Sequence, residues 1–154
     1  MRRMSFALTT EAVVERRKSV TRRLGWAFLK VGDLLLAVDK LRTKTARKLA
    51  VIAVVSVREE PLWDISAEDV VREGFPDMPP MAFVEMFMRH MGTSAATPVR
   101  RIEFRYREDL WDLHHSPAAK KLRALVERSL ADGEFLAGTV FPADRSGWAT
   151  FSVK

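Results

Sequence analysis

Leu49-Ala50-Val51-Ile52-Ala53-Val54-Val55-Ser56-Val57 is the stretch that decides the fold. Its β-branched side chains lose rotamer freedom in a helix and pack well on a pleated surface, so the run predicts a central strand. Upstream, Gly32-Asp33 forms a turn leading into Leu34–Val38, an apolar segment that should pair with it. Between the two lies Asp39–Lys48, which carries Lys40, Arg42, Lys44, Arg47 and Lys48 on an exposed hairpin tip. Downstream, Val99–Tyr106 sets Ile102, Phe104 and Tyr106 alternately against Arg101, Glu103 and Arg105, the period of a half-buried strand.

Other segments surround these strands. Ser5–Thr9 reads as a short strand, and Thr10 as the N-cap of a helix running through Glu11 and Val14 toward Arg17, with acids suited to the helix dipole. Ser66-Ala67-Glu68-Asp69 has capping-box spacing and opens a short helix closed by Gly74. A second helix follows Pro79, with Phe83, Phe87 and Met91 four apart as its buried stripe. The pattern is α+β, strands with flanking helices, over about residues 1–107.

Residues 108–154 form an extension of a different character. Pro117–Ala131 predicts a helix with Leu122, Leu125, Val126 and Leu130 turned inward, and Glu134–Phe141 and Gly147–Val153 read as strands. Trp111 and Trp148 suit either core packing or an exposed patch that meets a protein partner. His114 and His115 are adjacent, so their rings point apart, and with Asp112 they make no metal-ligand spacing.

At 154 residues, 47% hydrophobic and 30% charged, the composition is that of a globular domain rather than a disordered chain. The absence of cysteine excludes disulfides and thiolate metal sites, and no window reaches the roughly 18 apolar residues of a membrane span. A cytoplasmic location follows as the expectation. No cofactor motif is present: glycine-rich phosphate loops and Gly-x-Ser-x-Gly elbows are absent. The net charge of +6 is unevenly placed, with 13 Lys/Arg against 4 Asp/Glu in residues 1–50 and 13 against 16 beyond. Such clustering suits a polyanionic partner or, equally, a solvated face.

The densest run is Arg16-Arg17-Lys18-Ser19-Val20-Thr21-Arg22-Arg23. In a helical or turn conformation Lys18 and Thr21, three apart, share a face. An amine beside a hydroxyl is a base and nucleophile pair if neighbouring Arg17, Arg22 and Arg23 lower the lysine pKa. The alternative is a set of solvent-facing cations closing a helix. Trp26 and Phe28 suit base stacking or core packing, the methionines Met81, Met86, Met88 and Met91 suit core filling, and His90 suits a structural or surface role.

This run also resembles the signature of the ASCH domains of the PUA-like superfamily, with Lys18, Thr21 and Arg23 in the motif's lysine, threonine and arginine places. Phe28-Leu29-Lys30-Val31-Gly32-Asp33 is similar to the family's lysine-x-glycine-aspartate entry to the next strand. Glu73-Gly74-Phe75, the Phe-rich helix from Pro79 to Met91 and Arg101-Ile102-Glu103-Phe104 follow in the family's order. The resemblance covers about residues 4–107.

The resemblance implies a PUA-like β-barrel with a cleft for RNA or a modified nucleoside. It further implies one of two activities. The first is binding, with Arg17, Arg22, Arg23, Trp26 and Lys44 as ligand contacts around a basic pocket. The second is amide hydrolysis of a nucleoside such as acetylcytidine by a lysine, a threonine and a glutamate. Carried over, Lys18 is the base, Thr21 the nucleophile and Arg23 the group that orients substrate. Ala82 occupies the aligned glutamate position, so Glu85 on the same helix or Glu73 before it is left to supply the carboxylate. A third reading is a protein-interaction module using the basic N-terminal third.

Overall fold

The computed structural model describes residues 1–132, 140–143 and 147–150. The chain divides into two compact units, Met1–Leu110 and Trp111–Lys154. The first carries β1 (Arg2–Ser5), α1 (Thr10–Val14), β2 (Val20–Arg23), β3 (Leu34–Val38), β4 (Lys48–Pro61), α2 (Ala67–Glu73), α3 (Pro80–Met91) and β5 (Pro98–Tyr106). The sheet order is β1-β3-β4-β5-β2, with β1 parallel to β3 and the other neighbours antiparallel. These strands curl into a half-barrel, so the expected α+β barrel with flanking helices is present.

β4 contains the deciding stretch and is the longest strand. Its first half pairs with β3 while the register with β5 runs from Ile52↔Tyr106 to Pro61↔Pro98. A register shift between Val54 and Ser56 inserts Val55 as an extra, exposed residue. The bulge explains an oddity of spacing. Val54 and Val57, three apart, would face opposite sides of a regular strand, yet both pack on the same core. That core gathers Met4, Phe6, Leu35, Ile52, Ile102 and Phe104 inside the curl. A second core of Leu62, Ile65, Val70, Phe83, Val84 and Phe87 holds α2 and α3 together.

Gly74 determines how closely α2 approaches α1. It closes α2 at φ +107, a left-handed conformation that side chains resist, and a Cβ there would lie 2.9 Å from that of Ala12. The next strand entry is then fixed by backbone: Ser19 N donates to Arg72 O at 2.9 Å.

Several local readings are corrected. The first strand is Arg2–Ser5 rather than Ser5–Thr9, and residues 7–9 form a single tight turn. Helix α1 ends at Val14, with Thr9 at its N-cap, while the Thr10 hydroxyl donates to Phe6 O at 2.9 Å. Arg16 at φ +61 turns the chain, so Arg17 N and Lys18 N both donate to Ala12 O. The basic run is therefore not a helix end; its second half is β2. Met91 is exposed, although Phe83 and Phe87 of its stripe are buried.

In the second unit, α5 (Pro117–Ala131) follows α4 (Glu108–His115), which starts within the first, and Ser116 Oγ caps α5 by accepting from Ala119 N. Trp111 stacks on His115 at 4.1 Å. Leu122, Leu125 and Leu130 are exposed, which corrects their inward reading: periodicity defines an apolar stripe, not what covers it. β6 (Val140–Ala143) and β7 (Gly147–Thr150) pair antiparallel, and the rest of the two strands expected there lies outside the described residues. Among the described residues no helix is long and apolar enough to cross a membrane.

Gly74→Ala is expected to lower the unfolding free energy by about 2 kcal/mol through backbone strain and the clash with Ala12. Urea denaturation checks this, and unchanged stability would contradict the close helix approach.

Candidate active site

The two sheet edges, β1 and β2, share no backbone ladder. A side chain spans the gap: Arg23 Nη2 donates to Ser5 O at 2.5 Å. A cavity of about 210 Å³ opens beside this link. Lys18, Thr21, Arg22, Arg23 and Glu73 supply its polar side, and Phe6, Phe75, Phe83, Met86 and Phe87 its apolar side, with the exposed His90 and Met91 also lining it. Apolar walls with a few convergent polar groups suit a small molecule.

Lys18 reaches this cavity because the turn at Arg16 ends α1 and sends the next residues in opposite senses. Arg17 is exposed and pairs with Glu15, whereas Lys18 is 2% exposed. Its Nζ donates to Glu73 Oε2 and to the Glu73 carbonyl, both at 2.6 Å. The Tyr106 hydroxyl fixes the lysine backbone by donating to Lys18 O. Burial lowers the Lys18 pKa from its ordinary value; Glu73 opposes this, while Arg23 and Arg22 add to it.

β2 then applies the period of a strand. Thr21 and Arg23 share one face, and Arg23 Nε donates to Thr21 Oγ1 at 3.1 Å. The Arg23 guanidinium lies 4.9 Å over the Phe6 ring, and burial lowers its pKa to about 10. Arg22 faces the other way, where Arg101 lies directly opposite on β5. Two arginines in register repel, and Asp69 from α2 reconciles them. Its Oδ2 accepts from Arg22 Nη2 at 2.6 Å and from Arg101 Nε at 2.7 Å. The Arg101 and Arg22 hydrogen bonds hold the Asp69 carboxyl well below the usual carboxylate range, against the opposing effect of burial. Arg22 also donates to Glu60 Oε1 at 2.6 Å and to Glu73 Oε1 at 3.3 Å.

These positions sort the residues singled out in the sequence. Lys18, Thr21, Arg22 and Arg23 line one cavity. Glu85 does not join them: it is exposed on α3 and absent from the lining, because Phe83, Val84 and Phe87 are the residues that α3 turns to the core. The carboxylate on Lys18 is that of Glu73. Arg17 and Lys44 are exposed away from the cavity lining, and Trp26 packs against the barrel core and Phe28. Of the cations in the lining, Arg22 is committed to three carboxylates, of which Glu73 alone lines the cavity.

Two signals for these partnerships were present in the sequence. Glu73 is the last residue of a helix, where the dipole disfavours an anion, so it calls for a cation. Arg101 sits among buried strand positions, where an arginine needs an acid. Among the described residues no group of three or more His, Asp or Glu side chains is arranged to hold a metal ion.

The fold and site define an α+β half-barrel with a cavity at its seam. No protein-family model matches the chain, and no curated protein matches it. Solved structures similar to it include a protein from Enterococcus faecalis V583 described by the family model DUF984. That protein is 17% identical, with a TM-score of 0.49, covering 64% of this chain and 69% of that one. An ASCH domain from Lactobacillus crispatus JV V101 is 14% identical at a TM-score of 0.47, covering 64% and 70%. A mutant ASCH protein from Zymomonas mobilis is 11% identical at 0.43, covering 82% and 94%. Two of the three bear the name of the family that the sequence resembles.

Asp69→Asn is expected to destabilise the protein by about 3 kcal/mol at pH 7, because it leaves Arg22 and Arg101 short of charge. Since the Asp69 pKa is depressed on folding, its contribution is present above about pH 4 and fades as pH falls toward the folded value. Urea unfolding at pH 7 and pH 3 should show the difference between wild type and variant shrinking in acid.

Proposed function

We propose that the cavity hydrolyses an amide on a small neutral molecule of nucleoside size, acetylated cytidine being the first candidate. Thr21 is the nucleophile, Lys18 the base and Glu73 the group that holds Lys18. The observation that carries this reading is the pair of hydrogen bonds that Lys18 Nζ donates to Glu73. Those two contacts occupy two of the three directions at the nitrogen. In the neutral amine the third is a lone pair, free to accept the Thr21 proton, and burial favours that neutral form.

Arg23 complements the base. By donating to Thr21 Oγ1 it leaves the hydroxyl proton to be given away and stabilises negative charge on the oxygen. Thr21 Oγ1 adds to the amide carbon as its proton passes to Lys18 Nζ. The C–N bond then breaks, and Lys18 returns the proton to the leaving amine. Water cleaves the threonyl ester to release a carboxylic acid. The burial of the cavity's charged groups and the pairing of Lys18 and Arg22 with carboxylates favour a neutral substrate over a phosphate, which suits exposed cations.

A second reading, RNA binding, draws on a different surface. Lys40, Arg42, Lys44, Arg47 and Lys48 on the hairpin are exposed, and no carboxylate ion-pairs with them among the described residues. If RNA is held there, affinity for a single-stranded oligonucleotide should fall steeply with salt and be reduced by Lys44→Ala, while Lys18→Met leaves it unchanged.

Hydrolysis is tested by mass-spectrometric detection of cytidine formed from acetylated cytidine. Thr21→Ala and Glu73→Gln should each lower kcat by at least about 100-fold. Glu85→Gln should stay within about twofold of wild type, since that side chain is exposed and outside the cavity lining. No turnover by wild type, or full turnover by Thr21→Ala, would overturn the reading.

A further inference from the structure

Glu73 divides its carboxylate between two cations, and the division has a chemical use. Oε2 accepts from Lys18 at 2.6 Å, while Oε1 accepts from Arg22 at 3.3 Å. Arg22 is itself buried, and its own position is over-determined. Nε and Nη2 donate to Glu60 Oε1 at 3.1 and 2.6 Å, and Nη2 donates to Asp69 Oδ2 at 2.6 Å. Asp69 is anchored in turn by both Nε and Nη2 of Arg101, and Glu60 is held at its other oxygen by Arg58 at 3.2 Å. An unbroken chain of ion pairs therefore runs from the sheet surface at Arg58 to the cavity at Lys18.

We propose that Arg22 is a positioning residue that tunes Lys18 through Glu73. By taking the second carboxylate oxygen it fixes the rotamer of Glu73 and withdraws negative charge from the lysine, so that the amine is held in place without being held protonated. This deepens the hydrolytic reading, on which its catalytic consequence rests; the coupling itself can be measured without substrate.

The groups that face the lysine come from four elements. From α2 comes Glu73, from β2 come Arg22 and Arg23, from β5 comes the Tyr106 hydroxyl on the backbone carbonyl, and His90 of α3 lines the same cavity. Phe6 presents its ring 5.9 Å from Nζ. Glu73 is the sole carboxylate among these, so how far its charge is shared governs the lysine. A lysine in a private ion pair with a buried glutamate would gain the full attraction and stay charged. An ion pair shared three ways at Arg22 dilutes that attraction while keeping every buried charge partnered.

The chain also predicts opposite effects at its two links. Removing Arg22 deletes a cation and gives Glu73 wholly to Lys18, which raises the lysine pKa. Removing the charge of Glu60 frees Arg22 to engage Glu73 more closely and deletes a distant anion, which lowers it. A role limited to packing behaves differently: either substitution would loosen the site, admit water and move the lysine upward toward its ordinary value.

The experiment is NMR titration of the lysine side-chain signal that disappears in Lys18→Met, in wild type, Arg22→Met and Glu60→Gln. The Arg22→Met midpoint should rise by about one pH unit and the Glu60→Gln midpoint should fall. Shifts in the same direction, or none, would overturn the proposal. If Arg22→Met fails to fold, Glu60→Gln decides alone: a fall supports the coupling, and a rise or no change refutes it. If acetylated cytidine is hydrolysed, the acidic limb of the rate profile should move with the titration in each variant. Absence of turnover with opposed shifts intact would refute the hydrolytic reading and leave the coupling standing.

Discussion

The buried ion pair between Lys18 and Glu73 is the interaction on which the rest of the structure depends. The partners come from the link after α1 and the last residue of α2, segments that are also joined by Ser19 N donating to Arg72 O. Taking both charges out of water is costly, and the contact is tolerable only because two short bonds fall on one amine and the second oxygen of Glu73 has its own donor. Gly74 makes the approach possible by accepting a left-handed backbone beside Ala12. The turn at Arg16 makes it possible from the other side by aiming Lys18 inward.

From that contact the site follows. Strand β2 leaves Lys18 with a period of two, so Thr21 and Arg23 face the barrel interior while Arg22 faces α2. One strand thereby supplies both the Thr21 hydroxyl of the cavity and Arg22, which donates to the carboxylate that holds Lys18. The same strand is a sheet edge, and Arg23 joins it to the opposite edge through Ser5 O. The cavity lies at this seam because it is where backbone pairing stops and side chains take over.

Much of the fold was legible in the sequence, because strand and helix periods are local. The β-branched run of β4, the alternation in β5, the Ser66 cap and the Gly74 stop all lie where the pattern put them. What was not legible depended on distant partners. Eight residues with four arginines and one lysine read equally well as a helix end, and only pairing with β5 makes Val20–Arg23 a strand. Glu85 is the carboxylate of α3 nearest in sequence to Ala82, the aligned position, but α3 packs Phe83, Val84 and Phe87 inward and leaves Glu85 in solvent. The partnership of Glu73 with Lys18 spans 55 positions of sequence, and no short-range pattern encodes it. The exposed leucines of α5 make the same point: a stripe is a local property and its burial is not.

The most direct test of this account is a double-mutant cycle on Lys18 and Glu73. Unfolding free energies are measured for wild type, Lys18→Met, Glu73→Gln and the double variant. A buried pair on which both elements depend should show a coupling of about 3 kcal/mol, with the double variant more stable than the sum of the single losses implies. A coupling below about 0.5 kcal/mol, the value for independent sites, would contradict the claim that this contact organises the cavity.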